Sequence, residues 1–330
     1  MFEETLLAYP LTYVVIINWN GKEILCKCLK TFFAKTQTDN CRVVLVDNGS
    51  TDGSIEMLQN DFPQIQLIKN SANMGFSVAN NQGIRVALAN GAKQVLLLNN
   101  DIEITDDKWL EKLSTALESD SEIGVAGCKL LFGDGRIQHV GGVITLRGAS
   151  HRGEREVDRG QFDRVEFVDY VTGAVLLIKS EVISEIGLLD EGYFPIYCED
   201  SDWCVRARLR GYKIVYTPKP TLIHHCGVDT AKMGSRKAFI FKKSAIRFFL
   251  LNYQGKDILK RLVRFELPSV IACFIGRNRK GGLPITLRSD ASKRFMFLVR
   301  TWAPNIRDLK GILAKRQQRF QYKRKLQLSH

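Results

Sequence analysis

Arg42-Val43-Val44-Leu45-Val46-Asp47-Asn48-Gly49-Ser50-Thr51-Asp52-Gly53 is the stretch that decides the fold. Its apolar residues are consecutive rather than alternate, the mark of a strand covered on both faces. The run ends on an acid. Asn, Gly, Ser and Asp then make a tight turn with free backbone N–H groups, and a helix is predicted near residues 55–61. A strand at 13–18 (YVVIIN) and a helix at 22–34 precede it. Downstream come an alternating strand at 64–69, a helix at 77–89, a buried strand at 94–98 and a helix at 108–117. Strand–helix alternation with wholly apolar strands predicts a parallel sheet with helices on both faces. Such a sheet takes its ligand beyond the carboxyl ends of its strands.

Past residue 130 the pattern changes. Gly recurs over 133–160 and charges crowd 152–164, which predicts hairpins and a loop. A strand pair is expected over 167–178, a helix from Ser180, and another over 199–210 with Trp203, Val205 and Leu209 as its apolar positions. Short strands are expected at 213–216 and 221–225.

The net charge of +13 is unevenly spread. Residues 236–330 hold 24 Lys+Arg against 4 Asp+Glu, whereas residues 1–235 hold 24 against 31. This predicts a mildly acidic body, 1–235, and a basic, mainly helical region, 236–330, that meets an anionic partner. The interleaved Phe239, Phe241, Phe248 and Phe249 add apolar contact. The region therefore suits an anionic membrane surface, the alternative being helices packed on the body or on a second subunit of a homo-oligomer. Residues 1–10 are acidic and lack the form of a signal peptide. The run 267–275 is about half the ~20 residues of a spanning helix. No membrane-spanning segment is expected.

The eight Cys form no disulfide framework, which favours a reducing compartment. Cys41, Cys128 and Cys273 fit as small buried thiols. Cys198, Cys204, His224, His225 and Cys226 do not match a zinc spacing.

Chemistry gathers at the strand ends. Asp47 offers a carboxylate to a nucleobase imide or ribose hydroxyl, or serves only to cap the next helix. Asn99-Asn100-Asp101 closes an apolar strand, where one acid beside carboxamides suits Mg²⁺ or Mn²⁺ on a diphosphate. Glu199-Asp200-Ser201-Asp202-Trp203 opens a helix. Its crowded acids raise one another's pKa, as a general base requires, unless Arg206 and Arg210 neutralise them. Asn73-Met74-Gly75 precedes a helix bearing Asn80 and Asn81, and Gly75 lets backbone approach a ligand. His224 ends the last strand.

In this order the segments VVIINWNG (14–21), VDNGSTDGS (46–54), NMGFSVANNQGI (73–84), LLLNND (96–101), EDSDW (199–203) and the strand ending in His224 resemble family 2 glycosyltransferases of the GT-A fold. Their rhamnosyltransferase-like bacterial branch is the nearest in pattern, and the resemblance covers roughly residues 11–230. It implies an α/β fold, a Rossmann-like nucleotide-binding mixed sheet flanked by helices. It implies a nucleotide-sugar donor, with dTDP-rhamnose the first expectation, and a glycan or lipid-linked acceptor in surface polysaccharide synthesis. The enzyme would work in the cytoplasm or at the inner face of its membrane. Asp200 matches the base of the family's ED motif. Asp101 matches the last residue of its DXD motif, here Asn-Asn-Asp, and His224 a metal-side His. Asn18, Trp19 and Asn20 match the nucleobase wall and Asp47 the base- or ribose-binding acid. Asn48, Asn73, Gly75, Asn80, Asn99 and Asn100 complete the donor side; Glu199, Asp202 and Trp203 line the acceptor side. No nucleic-acid partner is expected, because the basic end lacks any nucleic-acid-binding pattern. A nucleotidyltransferase would need a basic Gly-rich loop, and residues 14–21 hold one Gly and no Arg.

Overall fold

The computed structural model describes residues 9–225, 236–268, 270–271 and 291–328. The N-terminal reading of residues 1–8, Cys226, Cys273, the end of the 267–275 run and the 235/236 boundary lie outside the described residues. Four parallel strands form one half of the sheet: β1 (Thr12–Asn18), β2 (Cys41–Asp47), β3 (Gln66–Lys69) and β4 (Gln94–Asn99), ordered β4-β1-β2-β3. Their crossovers are α1 (Lys22–Lys35), α2 (Ser54–Asp61) and α3 (Phe76–Ala89).

The other half departs from the sequence reading in three ways. The expected pair over 167–178 is two strands that do not pair with each other: β10 (Glu166–Phe167) and β11 (Val175–Lys179). The short strands at 213–216 and 221–225 are one strand, β12 (Lys213–His224), whose register with its neighbour breaks around Pro218 and Pro220. The neighbour is β6 (Ile123–Leu131), which the periodicity did not reveal. Its IGVAGCKLL has small residues where a strand usually carries branched ones. Gly127 is needed there because a Cβ would lie 2.5 Å from the Val171 Cβ. Strand β11 runs antiparallel to both β4 and β6, so the complete sheet is mixed, ordered β10-β12-β6-β11-β4-β1-β2-β3. The short β5 (Ile102–Glu103) pairs with β12, and β7 (Ile137–His139) with β6. A separate hairpin joins β8 (Gly142–Thr145) to β9 (Gly148–His151).

Alternate residues of β1 feed two apolar layers. Val14 and Ile16 pack with Leu25, Leu29 and Phe32 of α1 and with Trp109 and Leu113 of α4 (Trp109–Glu118). Val15 packs with Ile84 of α3, with Val182 and Ile183 of α5 (Ser180–Ile186), and with Trp203 and Ala207 of α6 (Glu199–Leu209). Each such side chain contributes about 1.5–3 kcal/mol by leaving water.

The C-terminal region consists of α7 (Arg236–Asn252), α8 (Gly255–Arg261) running into a π-type turn at Leu262–Glu266, α9 (Ala291–Arg307) and α10 (Leu309–Leu328). Of the interleaved aromatics, Phe248 and Phe249 are buried with Ile246, Leu251 and Ile312, as the alternative of helices packed on the body expects. They pack on Tyr193, in the 3-10 turn Glu191–Tyr193 that precedes α6.

Candidate functional site

The carboxyl ends of β1, β2 and β4 carry interlocked polar side chains. Asn18 Nδ2 donates to Asp47 Oδ2 and to Ser50 Oγ, both at 3.2 Å, and Asn18 Oδ1 accepts from Asn100 Nδ2 at 2.9 Å. Asp47 Oδ1 accepts the Ser50 N–H at 2.8 Å. Asn48 Oδ1 accepts the Met74 N–H at 2.9 Å, and Asn48 Nδ2 donates to Asn73 Oδ1 at 3.1 Å. Asn18, Asp47, Asn48 and Asn100 are buried, so they shape the turns beneath the surface. Asp47, expected to touch base or ribose, is enclosed with both oxygens bonded to protein. The rim above is formed by partly exposed Trp19, Asn20, Ser50, Asn99 and Asp101 and by exposed Asn73. Asn20 sits at φ 51° and accepts the Thr51 N–H at 2.7 Å. Asn80 is buried and donates to Phe76 O at 3.1 Å within its own helix.

Asp101 and His224 meet one strand over. His224 Nε2 stands 3.0 Å from Asp101 Oδ1, but among the described residues no hydrogen bond satisfies that oxygen, and His224 Nδ1 is likewise buried and unbonded. Asn99 Nδ2 lies 3.4 Å from His224 Nε2. A buried carboxylate oxygen without a hydrogen-bond donor beside a ring nitrogen is a donor set for a cation. Adjacent ligands on an octahedral ion with bonds of about 2.1 Å are also about 3.0 Å apart. Among the described residues no cluster of three or more His, Cys, Asp or Glu gathers as a closed metal cage.

A three-residue loop, 172–174, connects this place to α6. The Asn99 N–H donates to Ala174 O at 3.0 Å, and the Gly173 N–H donates to Asp200 Oδ2 at 2.9 Å. Asp200 Oδ1 accepts the Ser201 N–H at 2.6 Å. The Thr172 N–H donates to His139 Nε2 at 3.2 Å, and burial holds His139 well below the usual imidazole range, hence neutral. Glu199 is buried, and burial, followed by the adjacent Asp200, pushes its carboxyl far above the usual range. Among the described residues its Oε2 has no hydrogen-bond partner. The chain enters α6 through Tyr197 at φ 87° and Cys198 at φ 71°. Consecutive left-handed non-glycine residues are strained, and such strain concentrates at functional sites.

Two acceptor-side expectations are corrected. Trp203 is a core residue whose Nε1 donates to Gly187 O at 2.8 Å. Asp202 is fully buried and bound by Arg206 and by Arg319 from α10, so it offers nothing to an acceptor. Of the two arginines expected to neutralise the cluster, Arg206 binds Asp202 and Arg210 pairs with Glu185 at 3.2 Å. Sequence reasoning missed His139 and Arg319. The first stands in a Gly-rich stretch and the second among many cations, and neither carries a local signal. A cavity of about 700 Å³ lies away from the rim, lined by Leu188, Asp190, Arg206, Lys315, Gln318 and Arg319.

Comparison with known proteins agrees with this architecture. Residues 13–153 match Glycosyl transferase family 2, so the chain carries a Glycosyl transferase family 2 domain. Among particular relatives, the "Uncharacterized protein y4gI" of Sinorhizobium fredii is 30% identical over 226 residues, 66% of this chain and 24% of its own length. The chain thus spans about a quarter of that relative. The "dTDP-rhamnosyl transferase RfbF" of Shigella flexneri is 27% identical over 221 residues, 67% of this chain and 71% of that one. A mannosyltransferase of Pyrobaculum calidifontis, solved with GDP-Man and Mn²⁺, superposes with a TM-score of 0.53 at 15% identity, over 92% of this chain and 76% of that one. The fold is GT-A.

Proposed function

We propose that this protein is an inverting glycosyltransferase. It moves a sugar from a nucleoside-diphosphate donor, first candidate dTDP-rhamnose, to a hydroxyl of a glycan or lipid-linked acceptor in bacterial surface polysaccharide synthesis. The observation that carries the proposal is the 172–174 loop, which bonds Asn99 at the end of β4 on one side and Asp200 on the other. It ties a diphosphate-side strand end to a carboxylate. The name of the Shigella relative supports the rhamnosyl donor.

Asn18, Asn48, Asn73 and Asn100 fix the turns that cradle the nucleotide, and Trp19 and Asn20 form its outer wall. Asp101 and His224 would hold a divalent cation, whose charge offsets that developing on the leaving diphosphate. The acceptor oxygen attacks the anomeric carbon as the bond to the diphosphate breaks. The acceptor proton passes to Asp200, whose carboxylate is aimed by the Gly173 and Ser201 N–H groups. One displacement inverts the anomeric centre. Glu199, expected on the acceptor side, is buried one residue away and supports Asp200 from within the fold. The basic helices would rest on an anionic membrane at its inner face, where a lipid-linked acceptor would lie. Among the described residues no helix is long and apolar enough to cross a membrane.

The test is a thermal-shift screen of nucleoside diphosphates and their sugars with and without Mn²⁺, followed by transfer assays of Asp200→Asn. Donor binding with loss of transfer is expected. Wild-type turnover in Asp200→Asn would reject the assignment.

A further inference from the structure

Asp200 stands two residues before Asp202 on α6, and Asp202 has no exposure to water. Asp202 Oδ1 accepts from the Tyr193 hydroxyl at 2.9 Å, Asn252 Nδ2 at 2.8 Å and Arg319 Nη1 at 2.6 Å. Its Oδ2 accepts from Arg206 Nε and Arg319 Nη2, each at 3.1 Å. Arg206 belongs to α6 itself, so it cannot fix that helix against the rest of the molecule through Asp202. Tyr193 and Asn252 each give one neutral hydrogen bond. Arg319 alone grips both oxygens from another element, 117 positions away, and its guanidinium also donates to Asn252 Oδ1 at 2.6 Å. A two-pronged guanidinium–carboxylate contact fixes angle as well as distance.

We propose that Arg319 is a positioning residue for transfer: through Asp202 it sets the attitude of α6, and with it the place of the Asp200 carboxylate at the acceptor. This rests on the reading of Asp200 as the base. The side chains of Asn18, Asp47 and Asn48 bond to Ser50, Asn73, Met74 and Asn100 rather than to Asp202 or Arg319, so the effect should fall on turnover and leave nucleotide binding alone. It also makes the last helix part of the working site, although α10 contributes no reacting group.

The experiment compares full-length Arg319→Gln, Arg319→Lys, Asp202→Asn and the double variant Asp202→Asn/Arg319→Gln with Asp200→Asn. Each is assayed for kcat, donor KM, nucleoside-diphosphate Kd and Tm. A shift of about 1 Å in a catalytic group costs about 100-fold. Arg319→Gln should therefore lose about that in kcat, with donor KM and nucleotide Kd within about twofold. Arg319→Lys keeps the charge but not the fork, and should recover only part of the loss. Where a single variant does not fold, the double variant is the control: it strands neither Asp202 nor Arg319, and Arg206 keeps the Ile186 and Leu188 carbonyls. It should still turn over slowly, because the clamp is absent. A folded Arg319→Gln or double variant with wild-type kcat overturns the positioning role. Equal loss of kcat and nucleotide affinity also overturns it, because the damage is then general. An active Asp200→Asn sinks the base assignment instead, whatever Arg319 does.

Discussion

The donor end of the sheet is built from neutral carboxamides, whereas α6 is held by buried charge. At the ends of β1, β2 and β4, Asn18, Asn48 and Asn100 interlock, and Asp47 is the one buried acid among them. Around α6, Asp190 and Asp202 are gripped by Arg206, Arg247, Lys315 and Arg319. The contrast follows from the proposed chemistry. A neutral lattice does not repel a diphosphate and keeps its shape across pH. A carboxylate that must take a proton needs a helix that does not drift, and buried ion pairs hold angles more firmly than single neutral bonds. The same pairs tie the helix to distant sequence and to pH.

The largest effects separate the ends by what they do. Asp200→Asn should lower kcat by about 10²–10⁴-fold, the range for losing a general base, with nucleotide affinity kept. Asp101→Ala should weaken donor binding in Mn²⁺ by up to about 100-fold, a few kcal/mol of lost charge stabilisation. EDTA should bring the wild type to the same level. Calorimetric titration of the nucleotide checks both. Equal wild-type affinity with and without EDTA would dissolve the distinction, because the cation would then have no part at the donor end.

Stability separates them next. Asp202→Ala strands Arg319 and should cost about 3–5 kcal/mol. Asn48→Ala removes the acceptor of the Met74 N–H and should cost about 1 kcal/mol. Asp190 and Asp202 are held below the usual carboxylate range despite their burial: Arg247 and Lys315 act on the first, Arg319 and Arg206 on the second. A depressed folded pKa gives stability that is complete above the unfolded value of about 3.9 and is lost as pH falls through the folded one. Glu199 has the opposite sign. Its raised folded pKa gives stability that is complete below the unfolded value of about 4.3 and is lost as pH rises through the folded one. Glu199→Gln should therefore flatten that neutral-side loss without changing the acid limb. Urea unfolding across pH measures both slopes, and an unchanged neutral side in Glu199→Gln contradicts a protonated Glu199.

The two ends were unequally legible in the sequence. The donor half could be read because each strand is a consecutive apolar run and each site residue follows it directly, so one local pattern fixes both element and position. Strand β6 escaped because its Gly and Ala positions, of which Gly127 is required by the approach of Val171, remove the branched residues that mark a strand. Asp202 was misplaced for a different reason. Its neighbours in sequence are other acids, and of the two cations that bind it only Arg206 is local, whereas Arg319 comes from α10. Arg206, four residues on, pairs with Asp202, but that spacing is equally that of an exposed helical pair, so it does not separate the proposed base from the acid that Arg319 binds. Asp101 and His224 were singled out on separate strands, and the unbonded Asp101 oxygen on which the proposed cation site rests is visible only in three dimensions.

A smaller effect tests where the two ends touch. Gly75 has φ 81°, and a Cβ there would lie 2.8 Å from Phe194 Cδ2 and 3.0 Å from Pro195 O. The Phe76 N–H donates to Pro195 O at 2.8 Å, so this loop joins the donor side to the chain entering α6. Gly75→Ala should cost about 1–2 kcal/mol for the left-handed backbone. It should also raise donor KM and lower kcat together, unlike a change at either end alone. A change in KM only would place the loop wholly on the donor side.

The smallest effect concerns the basic helices, where a third balance of forces applies. The exposed residues from α8 to the following turn include Lys256, Leu259, Lys260, Val263, Arg264 and Leu267. Those of α9 include Phe295, Met296, Val299, Arg300, Ile306 and Arg307. No acid is exposed on either stretch, and Leu259 is 63% and Val263 56% exposed. Cations beside bare aliphatics suit a surface that is anionic outside and apolar beneath, and a second copy of so basic a face would be repelled. Flotation with phosphatidylcholine vesicles, with and without phosphatidylglycerol, should show binding only in its presence, weakening with salt. Lys260→Gln and Arg264→Gln should each weaken it about fivefold, from ~1 kcal/mol per cation. Val263→Ser should weaken it without altering the salt dependence, because it removes apolar contact alone. Nucleotide affinity should be untouched in all three, since these side chains lie far along the chain from the carboxamide lattice. Binding that ignores phosphatidylglycerol, or survives all three changes, assigns these faces to a partner other than an anionic bilayer.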